Sequence, residues 1–165
     1  MKRYVLLTFV SALLTIAVTA REYHIIPQPK EIVDKDGTFS LANDVRVYAQ
    51  GKENVKVAQF FIKKLKASTG YNITLTTNRQ KAQIQLLQSK KIKGKEAYAL
   101  TVDAKGVIAK ASTAQGLFYA MQTFLQLLPP QIESPTKVAD IRWEAPAVVV
   151  NDEPRFEYRS FMLDP

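Results

Sequence analysis

Ser112-Thr113-Ala114-Gln115-Gly116-Leu117-Phe118-Tyr119-Ala120-Met121-Gln122-Thr123-Phe124-Leu125-Gln126-Leu127-Leu128-Pro129-Pro130 is the stretch on which the fold turns. Ala114, Leu117, Phe118, Met121, Phe124, Leu125 and Leu128 recur at three- and four-residue steps, which puts them on one face of an α-helix. Ser112 precedes the first of them with Gln115 three residues on. We read a capping box there: the hydroxyl accepts a free helix N–H and the amide reaches back to the cap. Pro129-Pro130 ends the helix, because proline has no N–H and its ring blocks the preceding turn. So broad an apolar stripe is suited to covering a sheet, and the spacing predicts that Phe118 and Phe124 are both core residues.

Immediately upstream, residues 96–102 and 107–111 flank Asp103-Ala104-Lys105-Gly106, a hairpin with glycine at the turn. Residues 73–75 and 84–87 read as short strands separated by a polar loop over 77–83. Residues 54–67 form a second helix, with Val55, Ala58, Phe61, Ile62 and Leu65 on its apolar face and Gly70 placed for a left-handed cap. Residues 45–49 alternate with period two, as a strand does. Residues 31–34 and 38–41, with Lys35-Asp36-Gly37 between them, predict another hairpin. Downstream, residues 131–146 read as an irregular loop and 147–150 as a strand stopped by Pro154. Two amphipathic helices among strands and hairpins, without regular βαβ alternation, define an α+β fold. The expected sheet is antiparallel or mixed, with two helices packed on one face.

The N-terminus carries a different signal. Lys2 and Arg3 precede a mostly apolar run over residues 5–18, and Val18-Thr19-Ala20 is the small-residue pattern that signal peptidase reads. The run is shorter than the roughly 20 strongly apolar residues a membrane span needs, and it carries Thr8, Ser11 and Thr15. The reading is a signal peptide at residues 1–20, cleavage after Ala20, and a periplasmic or extracellular protein without a stable membrane anchor. Residues 21–165 are enough for one domain with its own core.

The chain has a formal net charge of +8, and the signal accounts for two of the positive charges. Lys63, Lys64 and Lys66 lie on the polar side of a helix; Lys90, Lys91, Lys93 and Lys95 surround Gly94 in a loop. Two separate groups in an exported chain read as solvated faces rather than a nucleic-acid footprint, with an acidic glycan or anionic surface as a weak partner. There is no cysteine. That excludes disulfides, thiolate metal sites, a catalytic thiol and a lipid-modified cysteine.

No catalytic constellation emerges from the residues, and no metal site or cofactor is implied. His24 is the only histidine and reads as a surface or packing residue. Trp143 reads as a packing residue rather than a sugar platform. Asp152-Glu153 is the one tempting carboxylate pair, but on an extended backbone neighbouring side chains point to opposite faces. We read it as a solvated turn before Pro154.

Several stretches together resemble a known family. Residues 96–102, the Lys105-Gly106-Val107 turn, residues 111–129 and Asp152-Glu153-Pro154-Arg155-Phe156-Glu157-Tyr158-Arg159 are similar to the N-terminal half of exported β-N-acetylhexosaminidases, the family 20 glycoside hydrolases. Ile25-Ile26-Pro27-Gln28-Pro29 resembles their mature start. The resemblance implies an accessory α+β domain over residues 21–152. It also implies the opening of a (β/α)₈ barrel at residues 153–165, with Phe161-Met162-Leu163 in its first strand.

Arg159 would then be a substrate-binding residue for hydroxyls of the non-reducing sugar of β-linked N-acetylhexosamine glycans. A fixed guanidinium fork suits that task because it donates two hydrogen bonds at once. The family's chemistry is substrate-assisted: the acetamide oxygen attacks, an aspartate orients it and a neighbouring glutamate is the general acid/base. That pair lies in the barrel, so Asp152-Glu153 inherits no role. Ser160 stands where the family has glycine, and Pro165 replaces a continuing strand. A full barrel takes about 250 residues. The expectation is therefore a non-catalytic domain of an exported hexosaminidase whose barrel is missing from this chain; the alternative is a stand-alone glycan- or protein-binding module.

Overall fold

A computed structural model describes residues 21–156. The expected signal peptide, Arg159 and the run Phe161-Met162-Leu163 lie outside the described residues. The elements are β1 (Glu31–Ser40), β2 (Asp44–Ala49), α1 (Lys52–Thr69), β3 (Asn72–Leu75), β4 (Ile84–Gln88), β5 (Tyr98–Asp103), β6 (Gly106–Ala111), α2 (Ala114–Leu127) and β7 (Glu144–Asp152), with 3₁₀ turns at Arg79–Lys81 and Pro130–Glu133. The seven strands form one sheet in the order β1-β7-β5-β6-β4-β2-β3.

The sheet is mixed. β1/β7, β7/β5 and β5/β6 pair antiparallel, while β6/β4, β4/β2 and β2/β3 pair parallel. Parallel neighbours need a crossover connection, and each helix supplies one. α1 returns the chain from β2 to its parallel neighbour β3. β6 and β7 both run antiparallel to β5, so they are parallel to each other, and α2 carries the chain across β5 between them.

Both helices lie on the same face, over one continuous core. Strand alternation supplies that face: Tyr98, Leu100 and Val102 of β5 and Val107, Ala109 and Ala111 of β6 are buried, while the residues between them are more exposed. Leu117, Ala120, Met121, Phe124 and Leu125 of α2 pack over this half of the sheet, and Phe124 meets Phe39 edge-on at 6.1 Å. Ala58, Phe61 and Leu65 of α1 join the same core with Val45, Val47 and Ile73. Each large side chain buried this way is worth about 1.5–3 kcal/mol. Gly116 permits the close seating of α2, since a Cβ there would come within 2.5 Å of the Ala97 carbonyl oxygen.

The structure revises five local expectations. The predicted hairpin over residues 31–41 is a single strand, β1, paired along its length with β7. Asp34 lies opposite Val148 and Thr38 opposite Pro146, so four steps on β1 match two on β7. Lys35-Asp36-Gly37 is therefore a bulge, with Gly37 at φ 107°, and it falls where Pro146 has no N–H to offer the ladder. The irregular stretch after α2 ends earlier than expected, because β7 begins at Glu144.

The N-cap of α2 is Thr113, not Ser112. Thr113 Oγ1 accepts the Gly116 N–H at 3.1 Å, whereas Ser112 Oγ donates to the Gly94 carbonyl at 2.8 Å and Gln115 Nε2 donates to Glu96 Oε1 at 2.6 Å. The capping box is absent because the preceding loop takes both of its members. Phe118 is only half-buried: it packs ring to ring with Phe60, Phe61 and Tyr119 at 5.5–5.9 Å, on the seam between the helices. α1 also runs two residues further at each end than its periodicity indicates. Gly70 caps it at φ 70° with its N–H on the Lys66 carbonyl, the expected left-handed cap.

Candidate functional site

An open groove of about 1140 Å³ lies where the two ends of the described chain meet. One wall is the N-terminal segment over residues 25–30, a second is the flank of α2 at Tyr119, Gln122, Thr123 and Gln126, and the third is residues 152–156. Ile25 anchors the first wall in the core. The next peptide, Ile26–Pro27, is cis, and the Ile26 N–H donates to Gln126 Oε1 at 2.8 Å.

Asp152 organises the junction. Its Oδ1 accepts the Lys30 backbone N–H at 3.0 Å, and its Oδ2 accepts the Tyr98 hydroxyl at 3.3 Å. Tyr98 OH and Thr123 Oγ1 are 2.5 Å apart and share a hydrogen bond between β5 and α2. Burial pushes the Tyr98 phenol up to about 12, and the neighbouring Asp152 charge adds to the shift, so the phenol remains a neutral donor. Lys30 Nζ reaches Glu153 Oε1 at 2.5 Å, and this contact raises the Lys30 pKa. Asn151 Nδ2 completes the tie to β1 through Glu31 Oε2 at 2.8 Å. A second hollow of about 500 Å³, between the loop at Ile92 and Lys93 and the β1/β7 end, shares Asp152 and Glu153 with the groove.

This arrangement corrects the reading of Asp152-Glu153 as a solvated turn. Each carboxylate is engaged by Lys30, Asp152 through the backbone N–H and Glu153 through Nζ, and together they fasten the N-terminal segment to the end of β7. Both Asp152 oxygens already accept a proton donor, which suits a clamp rather than a general base. Among the described residues, no group of three or more His, Cys, Asp or Glu side chains is placed to hold a metal ion. No helix among them is long and apolar enough to cross a membrane.

The other sequence candidates fall apart in space. His24 is exposed. Trp143 is 3% exposed and belongs to the core, as the packing reading requires, so it offers no sugar platform. Arg159 lies outside the described residues; Arg155 and Phe156, just before it, line the groove and are exposed. The Tyr98–Thr123–Asp152 contact went unread, since its members are 25 and 54 residues apart and no local pattern links them.

The site is thus a clamped junction at which the two ends of the described chain are tied together. Residues 22–153 match the family described as glycosyl hydrolase family 20, domain 2. The chain is 32% identical over 145 residues to a β-hexosaminidase of Porphyromonas gingivalis, covering 86% of this chain and 18% of that protein. It is 27% identical over 148 residues to a β-hexosaminidase of Vibrio furnissii, covering 90% and 22%.

Among solved structures, it superposes on the N-acetyl-β-hexosaminidase of Streptomyces plicatus with a TM-score of 0.77 and 26% identity, over 82% of this chain and 27% of that one. The β-N-acetylhexosaminidase of Bacteroides fragilis gives 0.69 and 25%, over 85% and 26%. The chain belongs to glycosyl hydrolase family 20, and the part of that family it matches is the α+β accessory domain. It spans about a fifth of the length of the curated relatives it matches.

Proposed function

We propose that this chain is the non-catalytic N-terminal domain of an exported β-N-acetylhexosaminidase, and that hydrolysis is carried out by a (β/α)₈ barrel beyond it. The observation that carries the reading is the match to domain 2 together with its coverage of only 18% of the Porphyromonas gingivalis enzyme. The surface agrees with it. Ile26 at 81% and Phe156 at 65% exposure flank the groove, and Phe60 at 51% lies on the aromatic seam between the helices. Apolar side chains such as Ile26 and Phe156, exposed beside the groove, are what a following domain would cover.

In this reading residues 1–20 are the export signal, 21–152 the accessory domain and 153–165 the approach to the barrel. Arg159 holds hydroxyls of the terminal N-acetylhexosamine, and the protein works in the periplasm or outside the cell. A stand-alone glycan-binding module loses support, because Trp143 is buried.

Isolation of the native product from the source cells with an antibody against residues 30–130, followed by mass and N-terminal sequencing, tests this. The expected product begins at Arg21 and exceeds the present chain by about a barrel, roughly 250 residues. A product that ends with this sequence would overturn the proposal, and one that begins at Met1 would remove export from it.

A further inference from the structure

The loop between β4 and β5 carries Lys90, Lys91, Lys93 and Lys95, all exposed. Its backbone is firmly held. The Ser89 N–H donates to the Ala111 carbonyl at 2.7 Å, Ser112 Oγ donates to the Gly94 carbonyl at 2.8 Å, and the Thr113 hydroxyl donates to the Lys95 carbonyl. Gly94, at φ 101°, makes the turn, and Ile92 is half-buried against the smaller hollow. Four ammonium groups are thus presented from a fixed frame.

The surroundings reinforce their charge. Among the described residues, none of the four lysines is in a salt bridge, whereas Lys56 and Lys64 of α1 pair with Glu53 and Glu133. Lys110 is exposed on β6 beside the loop's base at Ala111. The first turn of α2 has no acidic residue, so the positive end of that helix adds to the field instead of cancelling it. Of the nearby acids, Glu153 is ion-paired with Lys30. Glu96, Asp152 and Glu31 accept from the neutral donors Gln115, the Lys30 backbone N–H and Asn151, which do not cancel a carboxylate's charge. The four loop lysines and Lys110 outnumber these acids.

We propose that this loop is a docking site for a linear acidic polysaccharide, which would hold the protein on an anionic glycan through several lysine contacts at once. A polyanion relieves the mutual repulsion of the lysines and gains entropy from released counterions. Residues 89–97 expose no large apolar side chain, so the loop has nothing to insert into a bilayer and no aromatic ring on which a base would stack. The choice of polysaccharide among polyanions rests on the carbohydrate reading above; the charge geometry does not.

Heparin, a soluble sulfated polysaccharide, is the probe. The full chain is titrated with it over a series of salt concentrations, beside two variants that lose equal charge: K90Q/K91Q/K93Q/K95Q in the loop and K52Q/K56Q/K63Q/K66Q on α1. The loop variant is expected to bind about tenfold more weakly or worse, with a log–log salt slope smaller by about 3, while the α1 variant stays within about twofold of the parent. Equal losses in both variants, or no binding at low salt, would overturn the proposal. So would capture by phosphatidylglycerol-rich vesicles as tight as that by heparin. Hexosaminide hydrolysis is not read here, so a failure of the enzymatic reading would show elsewhere and leave this result unchanged.

Discussion

The inner face of α2 and the Asp152 corner both join α2 to β5, but by opposite means. Under the helix, Leu117, Met121, Phe124 and Leu125 are buried among strand residues that have no side-chain polar atoms except the Tyr98 hydroxyl. That region is stabilised in proportion to the area it removes from water, and it tolerates apolar exchange of similar volume. At the corner, Tyr98, Thr123, Asp152 and the Lys30 N–H satisfy one another, so loss of any member leaves a partner short. The first region provides stability, and the second fixes where the ends of the domain leave it.

The largest effect that separates the regions is expected from Phe124→Ala, about 3–5 kcal/mol in chemical denaturation. Phe118→Ala, on the half-exposed seam, is expected to cost about 1–2 kcal/mol. Equal losses would place Phe118 in the core after all and blur the distinction between seam and core.

Asp152→Ala strips the acceptor from the Lys30 N–H and the Tyr98 hydroxyl. It is expected to cost about 1–3 kcal/mol and to speed amide exchange in residues 26–30 while the β5/β6 ladder stays protected. Uniform exchange across the domain would show that the corner does not act as a separate clamp.

Tyr98→Phe is a gentler test, at about 1 kcal/mol near neutral pH, and it carries a pH signature. The folded phenol titrates above its ordinary value of 10.0, at about 12, so its contribution is intact below pH 10 and disappears as pH rises to about 12. Over that window the parent's stability is expected to fall faster than that of the variant. Parallel curves would mean that the phenol is not held neutral by the corner. Smallest of all, Glu133→Gln breaks the surface pair with Lys64 and is expected to change stability by less than about 1 kcal/mol.

Most of the apolar framework was legible in the sequence, because its signals are local. The i, i+3, i+4 spacing of Ala58, Phe61 and Leu65, the left-handed cap at Gly70 and the hairpin of β5 and β6 each declare themselves within a few residues. Misreadings came where a distant partner decided. Lys35-Asp36-Gly37 carries a turn signal, yet it became a bulge because β7, over a hundred residues away, pairs with both flanks. Ser112 satisfies the local rule for a cap, but the Gly94 carbonyl claims its hydroxyl and Thr113 caps instead. The Asp152 corner was illegible for the same reason: its bond to Lys30 spans 122 residues. Arg159 was drawn from resemblance rather than geometry, so its role rests on the proposed function.

The most direct test of the central claim is turnover of an aryl N-acetyl-β-glucosaminide by the purified chain. The account predicts no release above the uncatalysed rate, for the parent and for Asp152→Ala alike, because under the proposed function the acid/base pair belongs to the barrel and not to this domain. Sustained turnover that co-purifies with the chain and disappears in a single-residue variant would contradict it.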